Sequence, residues 1–283
     1  MGIGRIRECI GEEDAVEPVG DGGGRPLGPL NEGRLRGRVA AGEPTVGIFV
    51  GAGSPVTAEV CAAVGFDWLL LDLEHGAAVE QQVGTTVAVA AAYGVPTVVR
   101  VENEARIRIG RVLDAGAAGV MLPRLDTAEQ VRAAVRHLRY PPQGDRGIAT
   151  YTRSCRFGFD TDALQRANDQ VLGVVQIESA RAVEAVEEIA AIDGVDILFV
   201  GPRDLSHDLR VPGQTDAPVF VEALERVRLA AGMHGKACGL LVDTGAKVAA
   251  LHAEGWTFTS FGSDVTLLAN AASAELSRAR GAR

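Results

Sequence analysis

The chain has 283 residues, of which 37 are acidic and 28 basic, so its formal net charge is −9. This negative charge argues against nucleic acid or an anionic membrane as the main partner, because both attract basic surfaces. With 47% hydrophobic and 23% charged residues, the composition is that of a globular protein and excludes disorder of the whole chain.

The N-terminal segment differs from the rest. Residues 1–29 contain the cluster GDGGGRPLGP and no apolar periodicity, which predicts a flexible arm before one domain over residues 30–283. Acidic residues stand where a signal peptide has its apolar stretch, and no apolar run reaches the roughly 18 residues of a membrane span. The four cysteines are spread singly, which excludes a CxxC motif. These features predict a cytoplasmic protein without a membrane partner.

Eight short apolar runs alternate with longer amphipathic segments along the chain. The runs are apolar on both faces and helices separate them, which predicts a parallel sheet closed into a (β/α)8 TIM barrel rather than an open Rossmann sheet. The predicted strands are 45–50, 67–73, 95–101, 118–123, 171–177, 196–200, 236–242 and 256–262. The predicted helices are 79–93, 104–115, 126–138, 179–191, 218–234, 244–254 and 264–279, several of them followed by a glycine (Gly94, Gly116, Gly255).

Two carboxylates follow neighbouring strands at the end where a TIM barrel places its active site. Glu178 follows the fifth strand and Asp204 the sixth. Because Mg²⁺ and Mn²⁺ prefer oxygen ligands, the two side chains could bind one such ion. The alternative interpretation is that each acid caps or opens its own helix.

Three further features lie at strand ends. His75 could be a general base, or a packed or solvent-facing residue. Arg100 ends an otherwise apolar strand, so we expect it to pair with a carboxylate of the barrel mouth or to face an anionic substrate. The run Gly201-Pro202-Arg203-Asp204 predicts a turn into a short helix whose free N–H groups could bind carboxylate or phosphate; the alternative is a plain loop.

A set of motifs resembles, in order and spacing, the HpcH/HpaI aldolase family of metal-dependent class II pyruvate aldolases. The motifs are FDWLLLDLEHG, PTVVRV, the run from RVLDAGAAGVMLP to RYPPQGDRGIA, VVQIES and DILFVGPRDLSHDL. The combination of EHG, RYPPxGxRG, QIE and GPxDLS in one chain is specific. The resemblance extends from about Asn31 to the C-terminus.

The resemblance implies a (β/α)8 barrel, assembled as a homohexamer in which the last helix is exchanged between subunits. It also implies a divalent metal ion, Mg²⁺, Mn²⁺ or Co²⁺. The residue roles that it implies are metal ligation by Glu178 and Asp204, acid/base chemistry by His75 with Asp114 as its partner, charge stabilisation by Arg100, substrate binding by Gln176, Gly201, Pro202, Arg203 and Asp204, and support of the site by Asp72.

The reaction implied is cleavage of a 4-hydroxy-2-oxo acid into pyruvate and an aldehyde, or the reverse aldol addition, through an enolate. Alternatives are oxaloacetate-type decarboxylation, another carbon–carbon bond-forming reaction on the same enolate, or a non-catalytic ligand-binding barrel. Two residues depart from the family pattern: Arg203 stands where a small residue is usual, and Glu102 where a neutral one is. Arg203 either contacts an acidic substrate or is a surface charge.

Overall fold

The computed structural model describes residues 33–281. The predicted N-terminal arm, residues 1–29, lies outside them and stays a prediction. Within the described part of the chain, no helix combines the length and the apolar composition that a bilayer crossing requires.

Eight parallel strands form a closed barrel in sequential order, with β1 pairing with β8 to complete it. This confirms the predicted TIM barrel. The strands are β1 (Thr45–Val50), β2 (Trp68–Asp72), β3 (Thr97–Arg100), β4 (Gly119–Leu122), β5 (Leu172–Ile177), β6 (Ile197–Val200), β7 (Ala237–Val242) and β8 (Phe258–Ser263). Each lies within or next to its predicted run, because a strand buried on both faces leaves a continuous apolar signal.

Twelve α-helices are described, and most surround the barrel. They are α1 (Arg34–Ala40), α2 (Pro55–Val64), α3 (Glu80–Ala92), α4 (Arg106–Asp114), α5 (Ala128–Arg136), α6 (Ala163–Gln170), α7 (Ala180–Glu184), α8 (Val186–Ala190), α9 (Pro202–Asp208), α10 (Pro218–Met233), α11 (Val248–Ala253) and α12 (Asp264–Ala279). Gly94, Gly116 and Gly255 have positive φ after α3, α4 and α11, as predicted for helix ends. Helices α1, α2 and α6 were not predicted from the sequence.

The barrel interior is filled by an apolar cluster in its lower and middle part. Trp68 and Phe258 stack with ring centroids 4.0 Å apart, and Phe199 meets Phe258 edge to face. Helix α1 closes the N-terminal end of the barrel, since its Leu35 and Val39 belong to the same cluster. A second, larger cluster lies between the strands and the surrounding helices. The open end of the barrel is therefore the one at the carboxyl ends of the strands.

Candidate active site

Strand alternation places three polar side chains in one inward-facing row. In β2, Trp68 and Leu70 belong to the interior cluster, so two residues further on Asp72 also faces inward. The same period brings Arg100 inward on β3 and Gln176 inward on β5. All three are buried, and Asp72 stands directly beside Arg100 in the strand register. The site is thus a polar layer on top of an apolar core.

Arg100 is held by two carboxylates. Its Nε donates to Asp72 Oδ1 at 2.9 Å and its Nη2 to Asp72 Oδ2 at 2.7 Å, while Nη1 lies 3.1 Å from Glu74 Oε2. Burial alone would raise the pKa of Asp72, but the hydrogen bonds and charge of Arg100 outweigh it and hold that pKa below its usual value. The guanidinium is fixed in position, 5.3 Å above the centroid of the Phe49 ring.

Glu178 is 6% exposed and is oriented by two donors. The backbone N–H of Arg124 donates to Oε1 at 2.7 Å, and Gln176 Nε2 donates to Oε2 at 3.1 Å. Burial raises the pKa of Glu178; the Arg124 N–H opposes this, and the charges of Asp204 and Glu74 add to it. A cation would therefore stabilise the ionised form of this buried carboxylate, on which two other acids act through their charge.

The structure argues against one interpretation of Glu178, that of a helix cap, and leaves metal ligation a prediction. The residue that caps α7 is Ser179, whose hydroxyl accepts from the N–H of Ala182 at 3.0 Å. Glu178 is therefore not a helix cap, and its carboxylate lies with Gln176 and Arg124 at the barrel mouth.

Helix α9 forms the other wall beside Glu178. It begins at the predicted turn, with Gly201 at its N-cap and Pro202 in its first turn. A Cβ at position 201 would lie 2.8 Å from Glu178 Oε2, so only glycine allows this approach. Asp204 and Arg203 follow in the first turn, and both are exposed. The predicted turn into a short helix is confirmed, and it places Asp204 near Glu178.

His75 lies on the rim of the same opening. Its side chain is 65% exposed, and its Nε2 is 3.8 Å from Glu74 Oε2. Its backbone N–H donates to Asp72 Oδ1, as does that of Glu74. The carboxylate that binds Arg100 therefore also fixes the loop that carries His75.

Asp114 does not lie beside His75 within one chain, so a pairing of the two residues stays a prediction. Asp114 is the last residue of α4, and helices that follow barrel strands end at the amino-terminal side of the sheet. Its carboxylate accepts from Arg146 Nη2 at 2.6 Å. His75 follows the carboxyl end of β2, one strand length away, or roughly 15 Å.

Three contacts in the site were not predicted. Glu74 and Arg124 were visible as charges near strand ends but carried no assigned role, and Phe49 was counted only as part of an apolar strand. Glu74 could have been found from its place between Asp72 and His75. The contact of Arg124 with Glu178 could not have been predicted, because its donor is a backbone N–H, which nearly every residue type has.

Comparisons with known proteins agree with this architecture. The model of the family described as HpcH/HpaI aldolase/citrate lyase matches residues 45–271. The hydroxypyruvate/pyruvate aldolase of Delftia acidovorans is 39% identical over 240 residues, covering 84% of this chain and 89% of the relative. The 4-hydroxy-2-oxo-heptane-1,7-dioate aldolase of Escherichia coli is 37% identical over 249 residues, covering 87% and 95%.

A solved structure gives the same result for the fold. The crystal structure of an HpcH/HpaI aldolase/citrate lyase family protein from Burkholderia cenocepacia superimposes with a TM-score of 0.83 at 37% identity, covering 88% of this chain and 99% of that one. Residues 45–271, which the family model matches, include every strand of the barrel and the described mouth residues. The chain belongs to the HpcH/HpaI aldolase/citrate lyase family.

Proposed function

We propose that this carbon–carbon lyase cleaves a 4-hydroxy-2-oxo acid into pyruvate and an aldehyde, or catalyses the reverse aldol addition. The observation that carries the proposal is the buried carboxylate of Glu178 at the mouth, close to Asp204 and on the same rim as an arginine fixed by two acids. The names of the two relatives support the same reaction class.

Glu178 and Asp204 would hold a divalent metal ion, for which Mg²⁺, Mn²⁺ and Co²⁺ are the candidates. Two features of the site fit a cation. Gln176 Oε1 is buried and accepts no hydrogen bond from residues 33–281. Burial raises the pKa of Glu178, and the charges of Asp204 and Glu74 raise it further. Residues 33–281 contain no ready cluster of three or more ligating side chains. Two carboxylates would leave the remaining positions to water and substrate oxygens.

When bound, the ion would stabilise negative charge that develops on the substrate during bond cleavage. Cleavage of the C3–C4 bond sends its electron pair into the pyruvate half as an enolate, which is then protonated at C3. Arg100 offers a fixed positive charge to that enolate, at no cost of reorganisation because Asp72 and Glu74 already hold it. Gln176 and the turn Gly201–Asp204, including Pro202 and Arg203, would bind the pyruvate half.

His75 would accept the proton of the C4 hydroxyl as the bond to C3 breaks. Its exposure on the rim allows it to reach a substrate that enters the mouth. Asp114 cannot orient this imidazole within one chain. If the resemblance assigns the pair correctly, Asp114 must approach His75 from a second copy of the chain.

The exposed last helix supports an oligomer. Only Asp264 of α12 is buried, whereas Leu268 is 67% and Leu276 49% exposed. Val56, Val60 and Val64 on α2 also present an apolar stripe, with exposures between 57% and 70%. Apolar surface of this kind is stabilised by burial against another subunit. We propose that α12 packs on a neighbouring copy, as in the exchanged helix of a hexamer.

The reaction is tested by measuring pyruvate released from a panel of 4-hydroxy-2-oxo acids, with and without added Mg²⁺, Mn²⁺ or Co²⁺. Metal-dependent pyruvate release supports the proposal. Decarboxylation of oxaloacetate without release of pyruvate from any member of the panel would replace it with the decarboxylase alternative.

The pairing across subunits is tested by mixing two inactive variants, His75→Ala and Asp114→Ala, after dissociation and reassembly. Mixed oligomers should regain activity, because some interfaces would carry an intact His75 and an intact Asp114. Light scattering of the wild type should show a hexamer. An active monomer would contradict the assembly proposal.

A further inference from the structure

A cavity lies at the opposite end of the barrel from the candidate active site. Its volume is about 340 Å³, which falls in the size range of small-molecule sites. Ala117 and Val171 line it and precede β4 and β5, so the cavity lies at the amino ends of these strands. Helix α6 and the 3₁₀ helix Arg153–Gly158 form another part of its wall. Among the described residues, its lining shares none with the barrel mouth.

Three arginines from three parts of the chain line this cavity. Arg146 comes from the loop after α5, Arg156 from the 3₁₀ helix and Arg166 from α6. Within residues 33–281, Asp160 is the one acidic residue of the lining, and it accepts from Arg166 Nη2 at 2.7 Å. The lining therefore carries excess positive charge in a chain whose net charge is −9.

The three guanidinium groups keep unused hydrogen-bond donors. The buried Arg146 donates from Nη2 to Asp114 Oδ1 at 2.6 Å, but its Nε has no hydrogen-bond partner within residues 33–281. Arg156 is exposed and makes no hydrogen bond or ion pair through its side chain with any residue that the structure describes. The two aspartates thus offset two of the three charges, and Arg156 is left without an ion-pair partner.

The backbone at Arg156 has a conformation that is rare for its residue type. The φ angles of Arg156 and Phe157 are +49° and +58°, in the left-handed region that residues with a side chain seldom adopt. The N–H of Phe157 donates to the carbonyl oxygen of Thr152 at 2.8 Å, which holds this turn. Such conformations cluster at active sites and ligand-binding loops. Here the turn carries the unpaired arginine in the cavity wall.

We propose that this cavity binds the phosphate group of a small organic phosphate. A phosphate group offers three terminal oxygens as acceptors, which suits donors that come from three separate parts of the chain. A carboxylate has only two oxygens in one plane. The hydroxyl of Ser154 and the amide of Gln170 belong to the same lining, and the volume leaves room for an organic group beside the phosphate.

Calorimetric titration of the full chain with glycerol 3-phosphate and with inorganic phosphate tests the site. Both should saturate one site per chain, and succinate, a dicarboxylate, should bind more weakly. Arg156→Gly should weaken the binding of glycerol 3-phosphate about tenfold or more, because it removes the unpaired guanidinium. Glycine readily adopts positive φ, so the turn should persist in this variant.

A second variant should change the affinity in the opposite direction. Asp160→Asn removes the negative charge of the lining and releases Arg166 from its ion pair, so glycerol 3-phosphate should bind about 3- to 10-fold more tightly. Structural damage alone would not strengthen binding. Arg132→Ala is the matched control, since it removes an exposed arginine of α5 that does not line the cavity, and it should leave the affinity unchanged.

Three results would overturn the proposal. The first is a folded wild type that binds neither phosphate, as expected if a second copy of the chain covers the cavity. The second is phosphate binding that neither Arg156→Gly nor Asp160→Asn changes, which would locate it elsewhere. The third is tighter binding of succinate than of both phosphates, which would make the cavity a carboxylate site. None of these results depends on the aldol reaction, which the pyruvate assay tests separately.

Discussion

The two ends of the barrel interior have opposite chemistry, although the same strands build both. At the lower end, Trp68 and Phe258 stack inside the barrel under the cover of α1. Four residues after Trp68 on the same strand, Asp72 faces inward and binds Arg100. The lower end therefore stabilises the fold and the upper end forms the site. The difference shows that position along a barrel strand decides whether an inward residue belongs to the core or to the chemistry.

The strongest test of this division removes a carboxylate from the upper end. Glu178→Ala should lower kcat/KM for pyruvate release by about 10³-fold or more, because the metal ion loses one of two proposed protein ligands. Asp204→Ala should behave in the same way, and excess chelator should abolish the activity of the wild type. Circular dichroism should show an unchanged barrel. Full activity in excess chelator would contradict the metal site.

Arg100→Lys gives the next largest effect. The lysine keeps one positive charge but cannot donate to both oxygens of Asp72 and also reach Glu74. We expect kcat to fall about 10²-fold, with a smaller change in KM, because the lost interaction is with charge that develops in the transition state. Steady-state kinetics of pyruvate release measure this. A near-normal kcat would reassign Arg100 to a structural role.

Much of the fold was predictable from sequence, because the pattern that identifies each strand lies within the strand itself. Each strand is a short apolar run bounded by turn residues, so the eight strands could be located without knowledge of their neighbours. Helix α1 was missed because it is short and has only two buried residues, Leu35 and Val39. Its role as a lid on the lower end depends on the closed barrel, which no local pattern shows.

The site was predictable in its residue types and less so in its contacts. The charges at strand ends indicated where the site lies, but the pair Asp72–Arg100 depends on the register of β2 with β3. Asp114 shows the limit of a resemblance: it assigns a partner to His75 without saying whether one chain can bring the two together. In this chain Asp114 binds Arg146 at the lower end instead.

Two glycines, one at each end of the barrel, allow the two ends to be tested separately. A Cβ at Gly47 would lie 2.1 Å from the Trp68 ring, and one at Gly201 would lie 2.8 Å from Glu178 Oε2. Gly47→Ala should lower the free energy of unfolding by about 3 kcal/mol through overpacking of the core. Gly201→Ala should weaken Mn²⁺ binding about tenfold by displacing a ligand, with little loss of stability.

The matched control is Gly110→Ala in α4, where an added Cβ meets nothing within 4 Å. This variant should gain about 0.5 to 1 kcal/mol of stability, because alanine is the better helix former. Urea unfolding and calorimetric titration of all three variants measure both quantities. If Gly47→Ala impaired metal binding as strongly as Gly201→Ala while remaining folded, the two ends would not be independent.

The effect that changes most with pH concerns the charge of Asp72, which holds Arg100 at the upper end. Because Arg100 lowers the pKa of Asp72 against the effect of burial, the ionised carboxylate stabilises the fold above the pKa of an unfolded aspartate, about 3.9. That stabilisation is lost as the pH falls through the lower, folded-state pKa. Asp72→Asn should therefore cost about 3 kcal/mol at neutral pH, as for one partner of a buried pair, and progressively less below about pH 4.

Urea unfolding of wild type and Asp72→Asn between pH 3 and 8 measures this difference. Asp243→Asn is the matched control, since Asp243 also has a lowered pKa and an ion pair, with Lys247, but its side chain is exposed. It should leave stability nearly unchanged, because water screens a surface pair. A cost for Asp72→Asn that stays constant down to pH 3 would mean that the aspartate supports the site by its shape and hydrogen bonds to the His75 loop, and that its charge contributes nothing.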